Sequence, residues 1–94
     1  MSNSNLISRM LRVLDEYEAG NLSSEQVERA LDFHMHGLEC VGLSAIDRSR
    51  DLAHRLVASH LSDGVEEYID TEVTSEVVSE MRLFLRSLPG GAGV

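Results

Sequence analysis

The sequence predicts an all-α single domain, folded as a compact antiparallel four-helix bundle. Apolar residues recur at helical spacing in four separate stretches, and capping or helix-breaking residues bound each stretch. No stretch alternates apolar and polar residues over a useful length, so we expect no sheet. Short connections favour an antiparallel bundle. The chain of 94 residues suits one domain, and we expect its ends, about residues 1–4 and 90–94, to fray.

The first predicted helix follows residues that can cap it and ends at a glycine. Either Ser4 or Asn5 can be the N-cap, because a short polar side chain can accept a hydrogen bond from the first turn. Gly20 stands where a C-terminal glycine belongs. The expected apolar side consists of Leu6, Ile7, Met10, Leu11, Leu14 and Tyr17.

The second predicted helix opens on the clearest local signal in the chain. Ser23 and Gln26 have the spacing of a capping box, and Leu22 with Val27 can form the hydrophobic staple around it. We expect this helix to end at Gly42. The expected apolar stripe consists of Val27, Ala30, Leu31, His34 and Leu38.

The third predicted helix repeats this capping pattern. Ser44 and Asp47 stand three residues apart, as in a capping box, and the run Ser62-Asp63-Gly64 is a turn signal that stops the helix. The expected apolar side consists of Ile46, Ala53, Leu56, Val57 and Leu61.

The fourth predicted helix follows a short connection over residues 65–70. It begins near Thr71 or Thr74, and Pro89 with the two glycines after it terminates the helix. The residues expected to be buried are Val73, Val77, Met81, Phe84, Leu85 and Leu88.

The charge of the chain is strongly negative. Sixteen acids against eight bases give a formal net charge of −8. Phosphate contacts require a basic surface, so we expect no binding to nucleic acid, and an anionic membrane surface is disfavoured for the same reason. No apolar run approaches a membrane span, and charged residues interrupt every stretch that could form a signal peptide. These features indicate a cytoplasmic protein.

The residue types of metal sites are present, but their spacing does not favour a metal. Cys40 is the only cysteine, so neither an internal disulfide nor a thiolate zinc cluster can form. At about 100° per residue, His34 lies in the apolar stripe and His36 points away from it, so the two cannot share an ion. His36 and Cys40 supply two of the four ligands that zinc takes. We therefore expect no metal and no cofactor.

The residue types of catalysis are likewise present without the surroundings that catalysis needs. We expect His34 and His60 at the edge of the core with a local hydrogen bond, and His54 at the edge of the core face of the third helix. Ser59, His60 and Asp63 match the types of a catalytic triad, but no nucleophile elbow accompanies them. We expect a protein that is not an enzyme.

Charge placement in the C-terminal half is more informative. From Leu56 to Met81 there is neither Lys nor Arg, while the acids are Asp63, Glu66, Glu67, Asp70, Glu72, Glu76 and Glu80. The last three repeat every four residues, and like charges at that spacing destabilise a helix. Leu83 lies on the same stripe. One interpretation is a solvated face whose first acids favour the helix dipole. The other is a surface that binds a positively charged partner, with Leu83 as an apolar anchor.

Four stretches, taken in order over residues 6–88, carry a family resemblance. LDEYEAGNLSSEQVERAL joins a leading helix, a small-residue turn and a Leu-Ser helix start, and Leu43-Ser44 opens the third helix. An acidic connection containing YIDTEV then leads into VVSEMRLFLRSL, a closing helix with spaced Val and Leu. This layout resembles the colicin D immunity family of bacterial self-protection proteins, although residues 34–42 do not match it.

The resemblance implies an immunity protein that binds the nuclease domain of a cognate toxin, an RNase or tRNase. Such an inhibitor blocks the basic cleft because its acidic surface imitates the RNA substrate. Family-level carry-over assigns partner binding to Asp63, Glu66, Glu67 and Asp70. The stripe adds Glu72, Glu76, Glu80 and Leu83. Two other classes stay open. One is a helical adaptor or regulatory subunit that binds a non-toxin protein or self-associates; the other is a small-molecule or metal-binding bundle.

Overall fold

The computed structural model describes residues 2–62, 67–69 and 71–93, with side chains for residues 2–59 and 72–93. These residues form the helices α1 (Asn3–Glu18), α2 (Ser24–Met35), α3 (Leu43–Ala58) and α4 (Thr71–Ser87). The helices contact one another in a ring, α1 with α2, α2 with α3, α3 with α4, and α4 with α1. This is the neighbour pattern of a four-helix bundle, and the predicted all-α fold is confirmed.

A short antiparallel strand pair lies between α3 and α4. Strand β1 (His60–Ser62) pairs with strand β2 (Glu67–Ile69), so that residue 60 stands opposite residue 69. This pairing differs from the expectation of a chain without a sheet. Strands of three residues are too short to show the alternation by which strands are recognised in a sequence. The helix before them also ends at Ala58, earlier than the turn signal suggested.

Aliphatic and methionine side chains from all four helices form the core. Its buried members are Leu6, Ile7, Met10, Leu11, Leu14, Val27, Leu31, Met35, Leu52, Ala53, Leu56, Val77, Val78, Met81, Leu85 and Leu88. Of the aromatic side chains that the structure describes, Tyr17 and Phe84 pack at the core's edge and Phe33 is exposed. The predicted inner side of α1 is therefore confirmed from Leu6 to Leu14, with Tyr17 half-buried.

Helix α4 turns a slightly different side to the core than the sequence predicted. The expected positions 77, 81, 85 and 88 are buried, and Val78 joins them. Val73 is 38% exposed and Phe84 is half-buried, so the prediction that both lie in the core was wrong. At about 100° per residue, including Val78 rotates the buried stripe away from both residues and leaves them at its edge.

The caps of the first two helices show one confirmed prediction and one correction. In the predicted capping box, Ser23 Oγ accepts a hydrogen bond from the Gln26 N–H at 3.2 Å, and Gln26 Oε1 accepts from the Ser23 N–H at 2.8 Å. Helix α1, however, begins earlier than predicted. Its N-cap is Ser2, whose hydroxyl accepts from the Asn5 N–H at 3.3 Å, rather than Ser4 or Asn5.

The connection between α2 and α3 departs furthest from the prediction. Helix α2 ends at Met35 rather than at Gly42, and Gly42 instead precedes α3 as an N-cap without a side-chain hydrogen bond. The capping box predicted for Ser44 and Asp47 was therefore wrong, because α3 begins at Leu43 and places Ser44 inside the first turn. Between the helices, Cys40 has a φ of 58°, which is a left-handed backbone conformation. A right-handed helix cannot continue through such a residue.

Asn3 ties the two ends of the chain together. Its side-chain N–H groups donate to the carbonyl oxygens of Glu39 at 2.7 Å and Pro89 at 3.1 Å, and its Oδ1 accepts from the Glu39 N–H at 2.8 Å. Gly90 has a φ of 89°, and a Cβ there would lie 2.9 Å from the Asn3 Cβ, so this position requires glycine. Fraying of residues 1–4 and 90–94 in solution stays a prediction.

Candidate partner-binding face

Helix α4 carries the described part of the predicted acidic surface. Glu72, Glu76 and Glu80 follow one another at intervals of about one turn, and Leu83 continues the same stripe. Glu72 and Glu76 are exposed, and Leu83 is 70% exposed. We call Glu72, Glu76 and Leu83 the outer face of α4.

The two carboxylates of this outer face form no direct ion pair with the described side chains, although the charge of Glu76 contributes to the raised pKa of Arg55. Neither Glu72 nor Glu76 forms an ion pair with any side chain that the structure describes. Leu83 lies seven residues after Glu76, which is about 10 Å along a helix. A single exposed leucine is ordinary on a protein surface. Its alignment with two unpaired carboxylates is what makes this face a candidate for binding a cation-bearing partner.

Glu80 differs from the other two acids, because its carboxylate is bound within the molecule. Its Oε2 accepts hydrogen bonds from Arg55 Nη1 at 3.0 Å and from Arg48 Nη2 at 3.3 Å. The hydrogen bond from Arg55 is the main cause that lowers the pKa of Glu80, and its counterpart raises the pKa of Arg55. Both groups are exposed, so the pair stabilises the fold only modestly.

These contacts give Glu80 an internal role that the sequence did not reveal. Its arginine partners stand 25 and 32 residues earlier in the chain, on α3, outside the stretch in which Lys and Arg are absent. The repulsion expected along the acidic stripe is thus offset at its C-terminal member. That Glu80 also contacts a partner stays a prediction.

The remaining predicted acids precede α4. Asp63, Glu66 and Asp70 lie outside the described residues. The backbone of Glu67 lies in β2, opposite Ser62. The grouping of these four acids with the outer face of α4 follows from their closeness in sequence and stays a prediction.

Ion pairs also fix the opposite flank of α4. Arg82 pairs with Asp15 at 2.9 Å and with Glu18, both on α1. Partial burial of the guanidinium lowers the pKa of Arg82, but its hydrogen bonds with Glu18 and Asp15 outweigh this, and the pKa is raised. Helix α4 is therefore held to α1 by Arg82 and to α3 by Glu80, and its outer face lies between these two attachments.

The described histidines make local contacts. His34 is half-buried, and its Nδ1 lies 2.7 Å from the carbonyl oxygen four residues earlier, which confirms the predicted hydrogen bond at the edge of the core. His36 makes the equivalent contact at 2.7 Å but is exposed. His54 Nε2 lies 3.3 Å from Glu28 Oε2. The side chain of His60 lies outside the described part, within which no three metal-ligating side chains converge.

Comparison with known proteins adds no relative. No protein-family model, no curated protein and no solved structure matches the chain. Separately, none of the helices in the described part of the chain is long and apolar enough to cross a membrane. The likeness to the colicin D immunity family therefore stays a hypothesis drawn from the layout of the sequence.

Proposed function

We propose that this chain is a cytoplasmic immunity protein that binds and inhibits the nuclease domain of a cognate bacterial toxin, an RNase or tRNase. The observation that carries the proposal is the outer face of α4, where Leu83 is 70% exposed in line with two carboxylates that have no ion-pair partner among the described side chains. The sequence layout over residues 6–88 and the net charge of −8 favour the same class of partner.

Inhibition by such a surface requires no chemistry from the inhibitor. A nuclease cleft that binds RNA is basic, because it must contact phosphates. Glu72 and Glu76 attract that cleft and speed association. Leu83 adds apolar burial, which is worth about 1.5–3 kcal/mol for a leucine that becomes fully buried. A chain seated in the cleft excludes the RNA substrate.

The other predicted acids have distinct places in this proposal. Asp63, Glu66, Glu67 and Asp70 extend the acidic surface before α4. Glu80 has a supporting role, since its carboxylate is already hydrogen-bonded to Arg55 and Arg48. These two contacts hold α4 against α3 and so orient the outer face.

Co-expression with a candidate cognate nuclease domain tests the proposal. We expect the chain to protect cells from the nuclease and to form a stable complex with it on size-exclusion chromatography. The association rate should fall with added salt, because screening reaches about 8 Å at physiological ionic strength. Absence of both protection and complex would refute the proposal.

A second candidate function is a helical adaptor that binds a non-toxin protein or self-associates. Two exposed apolar side chains on other helices favour it, Phe33 at 78% and Leu43 at 79% exposure. Sedimentation velocity over a range of protein concentrations distinguishes the two functions. A dimer that forms with concentration and is lost in Phe33→Ser would favour the adaptor, and a monomer at all concentrations would count against self-association.

A further inference from the structure

The groove between α2 and α3 is a separate feature, on helices that do not carry the proposed partner-binding face. It encloses about 250 Å³ and is lined by Glu28, Arg29 and Asp32 of α2 and by Ser49, Arg50 and His54 of α3. Pockets for drug-sized ligands usually span about 300–1,000 Å³. The groove therefore has room for a smaller molecule.

Two side-chain contacts cross this groove and leave polar atoms unused. Arg50 Nε donates to Asp32 Oδ1 at 3.0 Å, and His54 Nε2 lies 3.3 Å from Glu28 Oε2. The second oxygen of each carboxylate makes no hydrogen bond with the described residues. Arg29 forms no ion pair with them either. One guanidinium and two carboxylate oxygens are thus available to a ligand.

The floor of the groove contains a buried hydroxyl that also lacks a partner. Ser49 is 5% exposed, and its Oγ makes no hydrogen bond with any described residue. In a helix, a serine can satisfy itself by bonding to the carbonyl oxygen four residues earlier, which Ser49 does not do. Among the described residues, every fully buried side-chain nitrogen or oxygen has a hydrogen-bond partner. The Ser49 hydroxyl has none, so it must be partly accessible, and Ser49 lines this groove.

From this geometry we propose that the groove binds a small zwitterion of the α-amino acid class. The ligand's carboxylate accepts hydrogen bonds from Arg29 and Ser49, and its ammonium group donates to the free oxygens of Glu28 and Asp32. Two acidic and two guanidinium side chains line the groove, so a ligand without net charge suits it. A simple anion would use only the guanidinium and the hydroxyl, and a simple cation only the carboxylate oxygens, whereas a zwitterion uses both kinds of group.

Titration of the ¹⁵N-labelled full chain with L-alanine and with L-glutamine, followed by two-dimensional NMR, tests this site. We expect saturable shifts of amide signals on both sides of the groove, with a Kd of about 1 mM. Acetate and methylammonium, each added alone at the same ionic strength, should bind at least about tenfold more weakly, since each makes half of the charge-assisted hydrogen bonds.

Matched variants separate this site from unspecific binding. Ser49→Ala and Arg29→Gln should each raise the Kd roughly tenfold. Arg12→Gln removes an exposed arginine on α1 that also has no described ion pair, and it should leave the Kd unchanged. Circular dichroism confirms that each variant folds.

Any of three results would overturn the proposal. The first is no saturable shift with either amino acid. The second is binding that acetate alone reproduces, and the third is binding that survives both Ser49→Ala and Arg29→Gln. The residues of α4 are unchanged throughout, so failure of this site leaves the proposed function standing, and the converse also holds.

Discussion

Arg55 of α3 donates a hydrogen bond to Glu80 of α4, with 3.0 Å between Nη1 and Oε2. Arg48 donates to the same oxygen at 3.3 Å. This cluster joins the two helices on either side of the segment that contains the predicted partner-binding acids. It follows that the acidic stripe has two parts, an outer face without direct ion pairs among the described side chains and a C-terminal carboxylate that is paired with α3.

The cluster predicts how stability depends on pH. Because the hydrogen bond from Arg55 lowers the pKa of Glu80, the stabilisation is present above the carboxyl's unfolded pKa, 4.5, and is lost as pH falls through the lower folded value. Glu80→Gln should therefore lower Tm at pH 7, and its difference from the parent chain should shrink in acid. Glu72→Gln, at an exposed acid of the same helix without a described ion pair, is the control. A Glu80→Gln deficit that stays constant down to pH 3 would contradict the cluster.

Two leucines two residues apart on α4 test the orientation of the helix. Leu85 is 1% exposed and Leu83 is 70% exposed. Leu85→Ala should lower the free energy of unfolding by about 2–5 kcal/mol, because it empties a packed site. Leu83→Ala should change it by less than about 0.5 kcal/mol. Urea denaturation measures both, and similar losses in the two variants would show that the helix is rotated from its place here.

The start of α2 predicts a contrast between two serines. Ser23→Ala removes the hydroxyl that caps the Gln26 N–H and should cost about 0.5–2 kcal/mol of unfolding free energy. Ser44→Ala removes a hydroxyl that caps nothing, because α3 has no side-chain cap. Its effect in the same denaturation experiment should stay within about 0.5 kcal/mol. A larger loss for Ser44→Ala would restore the capping box that the sequence predicted there.

The contacts of Asn3 predict that the chain ends depend on this side chain. Asn3→Ala removes its hydrogen bonds to Glu39 and Pro89 and should cost about 1–3 kcal/mol. Exchange of the Glu39 amide hydrogen should become faster in this variant. Asn5→Ala, at an exposed position of the same helix, is the control. Equal exchange rates in the two variants would show that Asn3 does not protect the Glu39 amide.

Local signals in the sequence were enough for most of the fold. The capping box at Ser23 depends on residues three positions apart, and the core side of α1 depends on periodicity within one helix, so both could be read from the chain alone. The second box, at Ser44, has the same local pattern, yet the helix begins two residues too early to use it. Short motifs specify that a helix starts nearby more reliably than they specify its first residue.

Contacts between helices were beyond such signals. The exposure of Leu83 followed from its place on the wheel of α4, and the structure agrees. The arginine partners of Glu80 are on α3, and only the packing of α3 on α4 brings the charges together. For the same reason the groove with Ser49 at its floor could not be predicted, since its two walls belong to different helices.

The central claim is that the outer face of α4 contacts a basic nuclease domain. The variant with Glu72→Lys and Glu76→Lys together tests it against a control with Glu25→Lys and Asp47→Lys. Each variant replaces two acids by lysines, so both change the net charge equally. All four acids are also exposed, form no described ion pair and lie in the first two turns of their helices. Any general effect of charge should therefore be the same in the two.

The most direct measurement is the association rate constant of each variant with the proposed cognate nuclease domain, together with survival of cells that produce both proteins. The α4 variant should associate roughly tenfold or more slowly and lose protection, because its lysines repel the basic cleft. The control variant should keep protection and most of its association rate. Equal rates and equal protection in the two variants would contradict the claim that this face binds the nuclease.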